Sequence, residues 1–320
     1  MPKFVLEFEK PIQAIEEQIT NLKNSSSNSS INVDEKLNEL QEKLNNEYIK
    51  VYSNLTRWQK VELARHNDRP HTIDYIKLIA ENWIELHGDR KFADDPSIIA
   101  GLCTIEGESY VLIGNEKGRG TKDKLYRNFG MAKPEGYRKA LRIMKLAEKF
   151  NIPIITFIDT PGAYPGIGAE ERGQAQAIAD NLFVMSTLKV PILSIVIGEG
   201  ASGGALAIGL ADKIFCLENT WYSVISPEGC ASILFRDTTK AQDAANSMKV
   251  SSDDLLEMGI ADGIVNEPLG GAHNNYTETA NIIKSLIISE VKKLKDLNVE
   301  DLISNRMQKY DHIGIYESNE

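Results

Sequence analysis

Two nearly continuous apolar runs, each ending in a glycine-rich loop, constrain the fold of this chain more than any other feature of its sequence. The first run, residues 151–159, leads into a loop at 160–166, and the second, residues 190–197, leads into a loop at 198–204. Strands that are apolar along their whole length are typical of sheets covered on both faces. A helical pattern precedes each run, which predicts an α/β fold with parallel strands. Ligands of such sheets bind beyond the carboxyl ends of the strands, where both loops lie.

Three further strands are predicted around these two runs. Residues 98–105 and 109–114 are apolar segments joined at 106–108, which predicts a β-hairpin, and residues 213–217 form another short strand. We divide the chain into a helical N-terminal hairpin and extension at 1–72, a core at 73–275 and a C-terminal helical segment at 276–320.

The N-terminal extension is predicted to contain two amphipathic helices. Apolar residues recur at helical spacing in residues 12–22 and again in residues 37–51, and a Ser/Asn tract at 24–30 separates the two stretches. Such a hairpin is too thin to bury its own stripes, so we expect them to pack either on the main domain or on another chain. We interpret the hairpin as an assembly element without a catalytic role.

Composition excludes several classes of function. The net charge of −10 argues against a general nucleic-acid binder, and no apolar run reaches the ~18 residues of a membrane span. The N-terminus has no signal-peptide pattern. Cys103, Cys216 and Cys230 are far apart and form no CxxC pair, so neither a metal site nor a disulfide framework is expected. We expect a reduced, cytoplasmic protein.

The second glycine loop suggests a site for a developing negative charge. Gly200, Ser202, Gly203 and Gly204 precede a run of small apolar residues that is typical of a helix start. N–H groups at a helix N-terminus lack intrahelical partners, and two adjacent glycine N–H groups there can form an oxyanion hole. The alternative is that the glycines only allow the helix to pack closely on the sheet, and spacing alone does not decide between the two.

The same loop also matches the G-x-S-x-G pattern of serine hydrolases, with Ser202 as the nucleophile. His273 is the candidate base, and the candidate acids are Asp253, Asp254 and Asp262. These residues follow one another along the chain in the order Ser–Asp–His, which serine hydrolases of this type also have, so a hydrolase is a competing hypothesis. Against it, Ser202 is followed by two glycines, which free the backbone rather than the side chain.

A basic segment at residues 117–149 stands out in an acidic chain. It carries eleven basic and three acidic side chains, a net charge of +8, which can attract a phosphorylated or carboxylated ligand. Arg119 and Lys122 lie in a glycine-bearing loop and are the candidate ligand-binding residues. Lys145 and Lys149 fit a solvated helix face instead.

Seven motifs then occur in a fixed order along the chain. They are His87–Arg90, Arg127–Met131, Pro134–Ala140, Asp159–Gly166, Gly198–Gly209, Ser226–Ala231 and Glu267–His273. Together they closely resemble the α subunits of bacterial-type acetyl-CoA carboxylase carboxyltransferases. The resemblance covers nearly the whole chain, from the helical leader to Tyr310.

The resemblance implies a crotonase-like (ClpP/crotonase) α/β fold, a ββα superhelix with helical N- and C-terminal extensions. It implies transfer of a carboxyl group from carboxybiotin, carried on the biotin carboxyl carrier protein, to acetyl-CoA. The product is malonyl-CoA for fatty-acid synthesis. Two α and two β subunits would share the active site, biotin carboxylase would recharge the carrier, and the metal of the complex would belong to the β subunit.

The resemblance also implies roles for named residues. The N–H groups of Gly203 and Gly204 would stabilise the biotin ureido oxygen after carbon dioxide leaves, so no protein base is needed. The substrate-binding residues would be Gly162, Ala163, Gly200, Ser202, Arg119 and Lys122. One departure is Ala201, where the family usually has glycine, and it matters only if that position requires a positive φ. A Ser202 hydrolase and a non-catalytic assembly subunit remain the alternatives.

Overall fold

The computed structural model describes residues 4–26 and 34–314 of the protein. The helices are α1 (Lys10–Ser26), α2 (Asp34–Tyr52), α3 (Arg57–Ala64), α4 (Thr72–Ile79), α5 (Gly120–Tyr126), α6 (Pro134–Lys149), α7 (Ile167–Glu171), α8 (Gln174–Thr187), α9 (Ser202–Gly209), α10 (Pro227–Phe235), α11 (Ala241–Met248), α12 (Ser252–Glu257), α13 (Tyr276–Lys295) and α14 (Val299–Asp311). The strands are β1 (Glu81–Glu85), β2 (Ile98–Ile105), β3 (Glu108–Asn115), β4 (Ile154–Thr160), β5 (Ile192–Ala201), β6 (Lys213–Leu217), β7 (Trp221–Ser223) and β8 (Gly263–Val265).

All eight of these strands belong to one sheet. Its order is β1-β2-β3-β4-β5-β6-β8, and β7 pairs with the end of β5. The pairs β1–β2 and β2–β3 are antiparallel, whereas every pairing among β3 to β8 is parallel. The predicted hairpin is confirmed: Glu106 and Gly107 both have positive φ, as a two-residue turn between β2 and β3 requires. The parallel pairing of β4 and β5 is confirmed as well.

Helices cover both faces of the sheet, which explains why its central strands are apolar throughout. On one face α6, α8 and α9 contribute fully buried side chains such as Met144, Met185 and Ile208. On the other face α4 and α13 contribute Tyr75 and Ile287. Helix α13 is therefore part of the core, and its apolar residues from Ile283 to Leu294 recur at helical spacing.

The expectation that the N-terminal hairpin cannot bury its own stripes is wrong. Ile12, Ile15, Leu40 and Leu44 pack against one another between α1 and α2, and each is only 3–9% exposed. The first three residues of the Ser/Asn tract continue α1, and residues 27–33 lie outside the described part of the chain. The assembly role stays a prediction, but the unburied stripe that motivated it is absent from the described hairpin.

A cluster of ionisable side chains joins the hairpin to the core. The Glu9 carboxylate accepts a hydrogen bond from the Tyr52 hydroxyl and lies 3.6 Å from His273 Nε2. The His273 ring stacks on His66 with 3.9 Å between centroids. His66 accepts a hydrogen bond at Nδ1 from the Asp68 N–H, so its ring is held in one orientation.

We expect this cluster to make the protein less stable in acid. Burial and the neighbouring His273 lower the pKa of His66 to about 4. The unfolded chain therefore binds this proton from about pH 6.5 downward while the native chain does not. The free energy of unfolding should decrease by up to ~1.4 kcal/mol per pH unit between pH 6.5 and pH 4. Urea denaturation at several pH values measures this slope.

The matched variants for this prediction are His66→Gln and His312→Gln, because His312 lies exposed at the end of α14. The slope should flatten in His66→Gln and stay unchanged in His312→Gln. Equal slopes in both variants would show that His66 does not titrate as predicted.

Candidate active site

The two glycine loops meet in direct backbone contact. A Cβ on Gly204 would lie 2.4 Å from the carbonyl carbon of Gly162 and 2.6 Å from the nitrogen of Ala163. Only a glycine allows the start of α9 to approach the other loop so closely. The predicted site residues Gly203, Gly204, Gly162 and Ala163 are therefore brought together at the carboxyl ends of β4 and β5.

The first turn of α9 presents backbone N–H groups that the protein leaves unpaired. Within the described residues no hydrogen bond is found to the N–H of Gly203 or Gly204, as expected for the first positions of a helix. Ala163 N–H is unpaired in the same sense, whereas Gly162 donates its N–H to the Thr160 hydroxyl at 3.1 Å. The loops therefore offer donors at Gly203, Gly204 and Ala163.

The departure at Ala201 has no conformational cost. Ala201 has φ of −115°, which any residue adopts, and it is 1% exposed. The positive φ of this loop falls instead on Ser202, at 58°. A non-glycine residue in this region carries strain, and such strain is typical of functional sites.

A buried ionic network lies directly below the loops. Lys117 Nζ is 2.6 Å from both Asp159 Oδ1 and Glu199 Oε2, and Arg65 Nε is 2.5 Å from the other Glu199 oxygen. Arg65 also pairs with Glu228 at 2.5 Å. Burial opposes the charges of Lys117 and Glu199, but their ionic partners outweigh it. They raise the pKa of Lys117 and lower the pKa of Glu199, so both remain charged.

Sequence reasoning missed this network. The charge pattern indicates Lys117 only as one member of the basic segment, and no motif assigns a role to Asp159 or Glu199. A signal was present, because two carboxylates at the ends of fully apolar strands need a buried cation. The sequence does not show which cation, since Arg65 is 134 positions from Glu199.

Gly200, Arg119 and Lys122 occupy different environments, and their assignment to ligand binding stays a prediction. Gly200 is buried within β5, and a Cβ there would lie 2.3 Å from the Tyr222 ring. Arg119 donates to the backbone carbonyls of Asn67 and Arg69, to the Asp74 carboxylate and to the Tyr276 hydroxyl. Lys122 is exposed and has no partner among the described residues.

Arg119→Ala and Lys122→Ala should separate stability from ligand binding. Losing the four contacts of Arg119 should lower the melting temperature by several degrees, whereas Lys122→Ala should leave it unchanged. Lys122→Ala should instead raise KM for an anionic substrate by a few-fold, less so at high salt because exposed charges are screened. Calorimetry and steady-state kinetics test both, and a normal melting temperature for Arg119→Ala would contradict the structural role of its contacts.

Much of the charge of the basic segment is neutralised by acids from other parts of the chain. The paired cations and their acids are Lys117 with Asp159 and Glu199, Arg119 with Asp74, Arg138 with Asp89, and Lys139 with Asp94. The expected concentration of positive potential is therefore weaker than the sequence count suggests.

The geometry does not support a serine hydrolase. His273 pairs with Glu9 and stacks on His66, and no hydrogen bond to the Ser202 hydroxyl is found in the described chain. The candidate acids are engaged elsewhere: Asp253 with Lys60, Asp254 with Arg57, and Asp262 with Lys213 and Lys309.

Glu9, His66 and His273 also form a group whose ligand atoms lie within 4.8 Å of one another. Both nitrogens of His66 already have partners, at Asp68 N and Phe4 O, and Glu9 accepts from Leu6 and Tyr52. The two imidazole rings are stacked, so their in-plane lone pairs do not converge on one point as a tetrahedral metal requires.

None of the described helices is both long and apolar enough to cross a bilayer.

Solved structures share this fold. The transcarboxylase 12S core with methylmalonyl-coenzyme A and methylmalonic acid bound matches 69% of this chain, with a TM-score of 0.56 and 19% identity. The β subunit of geranyl-CoA carboxylase from P. aeruginosa matches 79% of it, with a TM-score of 0.53 and 17% identity. This chain spans 41% and 45% of those longer chains. The protein therefore has the crotonase-like fold of carboxyltransferases, as the family resemblance implied.

The sequence comparisons narrow this class to one family. A family model described as acetyl co-enzyme A carboxylase carboxyltransferase-like matches residues 5–314. Proteins named acetyl-coenzyme A carboxylase carboxyl transferase subunit alpha are 49% identical, in Fusobacterium nucleatum over 311 residues and in Staphylococcus aureus over 312. These matches cover 97% and 98% of this chain and 99% of each relative. The chain belongs to the acetyl-CoA carboxylase carboxyltransferase family and is a carboxyltransferase component.

Proposed function

We propose that this chain acts in the transfer of a carboxyl group from carboxybiotin, borne by a biotin carboxyl carrier protein, to acetyl-CoA. The product is malonyl-CoA, which supplies fatty-acid synthesis in the cytoplasm, and ATP is consumed when biotin carboxylase recharges the carrier. Family membership supports the reaction type, and the relatives' names supply the acyl group. The observation that carries the proposal is the set of unpaired N–H groups where the two loops touch.

The geometry favours stabilisation of a developing oxyanion by the backbone. Carboxybiotin supplies carbon dioxide and leaves a ureido oxygen that carries negative charge. The N–H groups of Gly203 and Gly204 lie at the positive end of α9, where they can donate to such an oxygen without reorganising. Because Gly204 has no Cβ, the N–H group of Ala163 can lie next to the N–H groups of Gly203 and Gly204. The biotin anion then takes a proton from the acetyl methyl group, and the resulting enolate attacks carbon dioxide, so no acid–base side chain of the protein is required.

The site is proposed to be completed by a partner subunit of the β type, in a complex with two copies of each chain. Apolar side chains on three neighbouring helices remain exposed: Ile167 is 79%, Phe183 76% and Leu206 41% exposed. Apolar surface on this scale is typical of an interface. It lies on α7, α8 and α9, the helices nearest the loops.

Reconstitution tests this function. The purified chain, a β-type partner and both together would be assayed with carboxylated carrier protein and acetyl-CoA. We expect malonyl-CoA only from the mixture. Full activity of this chain alone would contradict the shared site, and inactivity of the mixture would contradict the proposed reaction.

A further inference from the structure

One lysine bridges the two strands that carry the glycine loops. Lys117 follows β3, and its ammonium nitrogen contacts Asp159 and Glu199, each at 2.6 Å. Asp159 comes one residue before the end of β4, and Glu199 comes two residues before the end of β5. A single ammonium group therefore holds both strand ends at the base of the loops.

The carboxylates are tied to the backbone as well as to the lysine. Asp159 Oδ1 accepts the N–H of Glu199 at 3.0 Å, and a Cβ on Gly198 would lie 2.3 Å from the same oxygen. Asp159 is 1% exposed and Glu199 5% exposed. Both carboxylates are therefore shielded from solvent, and a side chain at position 198 would collide with the Asp159 carboxylate.

A strained turn covers the lysine from the other side. Asn128, Phe129 and Gly130 have φ values of 46°, 56° and 80°, three consecutive residues in the left-handed region. A Cβ on Gly130 would lie 2.9 Å from Lys117 Cγ and 2.9 Å from the Asp159 carbonyl oxygen. The turn is part of the Arg127–Met131 motif, whose role the proposed mechanism left unexplained.

Two buried carboxylates that share one cation repel each other once the cation is removed. Of the two carboxylates that Lys117 bridges, Arg65 contacts only Glu199, and it also pairs with Glu228. The buried Arg69, which is paired with Glu267, interacts with Asp159 only electrostatically. Repulsion would separate the ends of β4 and β5. The contact between Gly204 and Gly162 lies immediately beyond them and would open with them.

We propose that Lys117 is a positioning residue for carboxyl transfer, one that clamps the strand ends so that the N–H donors of both loops converge on the ureido oxygen. This inference rests on the proposed function. Lys117 touches no substrate itself. Its effect passes through Asp159 and Glu199 to the backbone of the loops.

The first test compares Lys117→Met with Lys139→Met in the reconstituted complex. Lys139 is a lysine with a side chain only 1% exposed, against 14% for Lys117, and it pairs with Asp94 at 2.6 Å and contacts neither loop. Both variants should lower the melting temperature. Lys117→Met should lower kcat at least 100-fold with KM for acetyl-CoA within threefold, whereas Lys139→Met should leave kcat within threefold. Equal kcat losses would overturn the clamp.

Charge can be tested apart from packing. In Lys117→Met, a proton on Glu199 removes the repulsion, so kcat relative to wild type should rise at least threefold from pH 8 to pH 6. Adding Asp159→Asn should also raise the kcat of Lys117→Met, because the amide oxygen can still accept the Glu199 N–H. Lys117→Arg keeps the cation and should be at least tenfold more active than Lys117→Met. Absence of all three effects would overturn the proposal.

Hydrogen–deuterium exchange on the chain alone separates this proposal from the proposed function. Lys117→Met should speed exchange in both 160–166 and 199–205, and Lys139→Met should not. Unchanged exchange overturns the clamp even if the wild-type complex makes malonyl-CoA. If the wild-type complex is inactive although exchange responds as expected, the proposed function fails, and the catalytic role of Lys117 fails with it while the mechanical coupling stands.

Discussion

Replacing Gly204 by valine is expected to lower kcat for carboxyl transfer by a factor of ~10³ or more. The added Cβ would lie 2.4 Å from the Gly162 carbonyl carbon, a distance at which one of the two backbones must move. That movement separates the donors of α9 from Ala163, and loss of even one oxyanion donor typically costs ~10²–10³ in rate. The measurement is kcat in the reconstituted complex.

The neighbouring glycine provides a matched control. A Cβ on Gly203 would meet only the flexible end of Ile178, at 3.3 Å. Gly203→Ala should therefore stay within about tenfold of wild type, since alanine retains the N–H donor that the chemistry uses. If Gly203→Ala and Gly204→Val lower kcat by similar factors, the close contact between the two loops does not determine the rate of carboxyl transfer.

Removing the guanidinium of Arg306 should cost the most stability. This side chain is fully buried on α14, donates to Asp212 at 2.7 and 2.9 Å, and also donates to the carbonyls of Met185, Leu188 and Val190. Arg306→Met leaves a buried carboxylate without its cation, which typically costs 3–5 kcal/mol. Urea denaturation followed by circular dichroism measures the change in the free energy of unfolding.

An exposed ion pair on the adjoining helix is the control. Lys295 on α13 pairs with Glu108 at 3.0 Å, but both side chains are largely exposed. Lys295→Met should change the free energy of unfolding by less than ~1 kcal/mol, because exposed pairs contribute little. If Arg306→Met costs no more than this control, the C-terminal helices are not an integral part of the core.

The fold was predictable because its strongest determinant is local. The apolar runs of β4 and β5 predict their parallel pairing, and the periodicity of α13 predicts its buried face. The packing of the N-terminal hairpin was not predictable, because periodicity shows that an apolar stripe exists but does not show which surface covers it. Ile15 and Leu44 belong to stripes that cover each other.

The glycine pair of the site was predictable, and its support was not. Adjacent glycines at a strand-to-helix turn indicate close backbone approach, and the contact of Gly204 with Gly162 confirms it. The partners of Glu199 come from residues 65 and 117, and no sequence pattern specifies such pairs. Arg119 is the opposite case. Its position in a glycine-bearing loop suggests a ligand-binding cation, but its guanidinium donates hydrogen bonds to groups of its own chain.

The central claim is that backbone N–H groups, rather than a side-chain nucleophile, carry the chemistry of this site. Ser202 tests it most directly, because it lies exposed at the start of α9 and has a φ of 58°, a strained backbone of the kind that carries a hydrolase nucleophile. The measurement is kcat for malonyl-CoA formation by the reconstituted complex containing Ser202→Ala. We expect it to stay within about threefold of wild type, since alanine keeps the backbone. A loss of ~10³ or more, the scale seen for a catalytic nucleophile, would contradict the account.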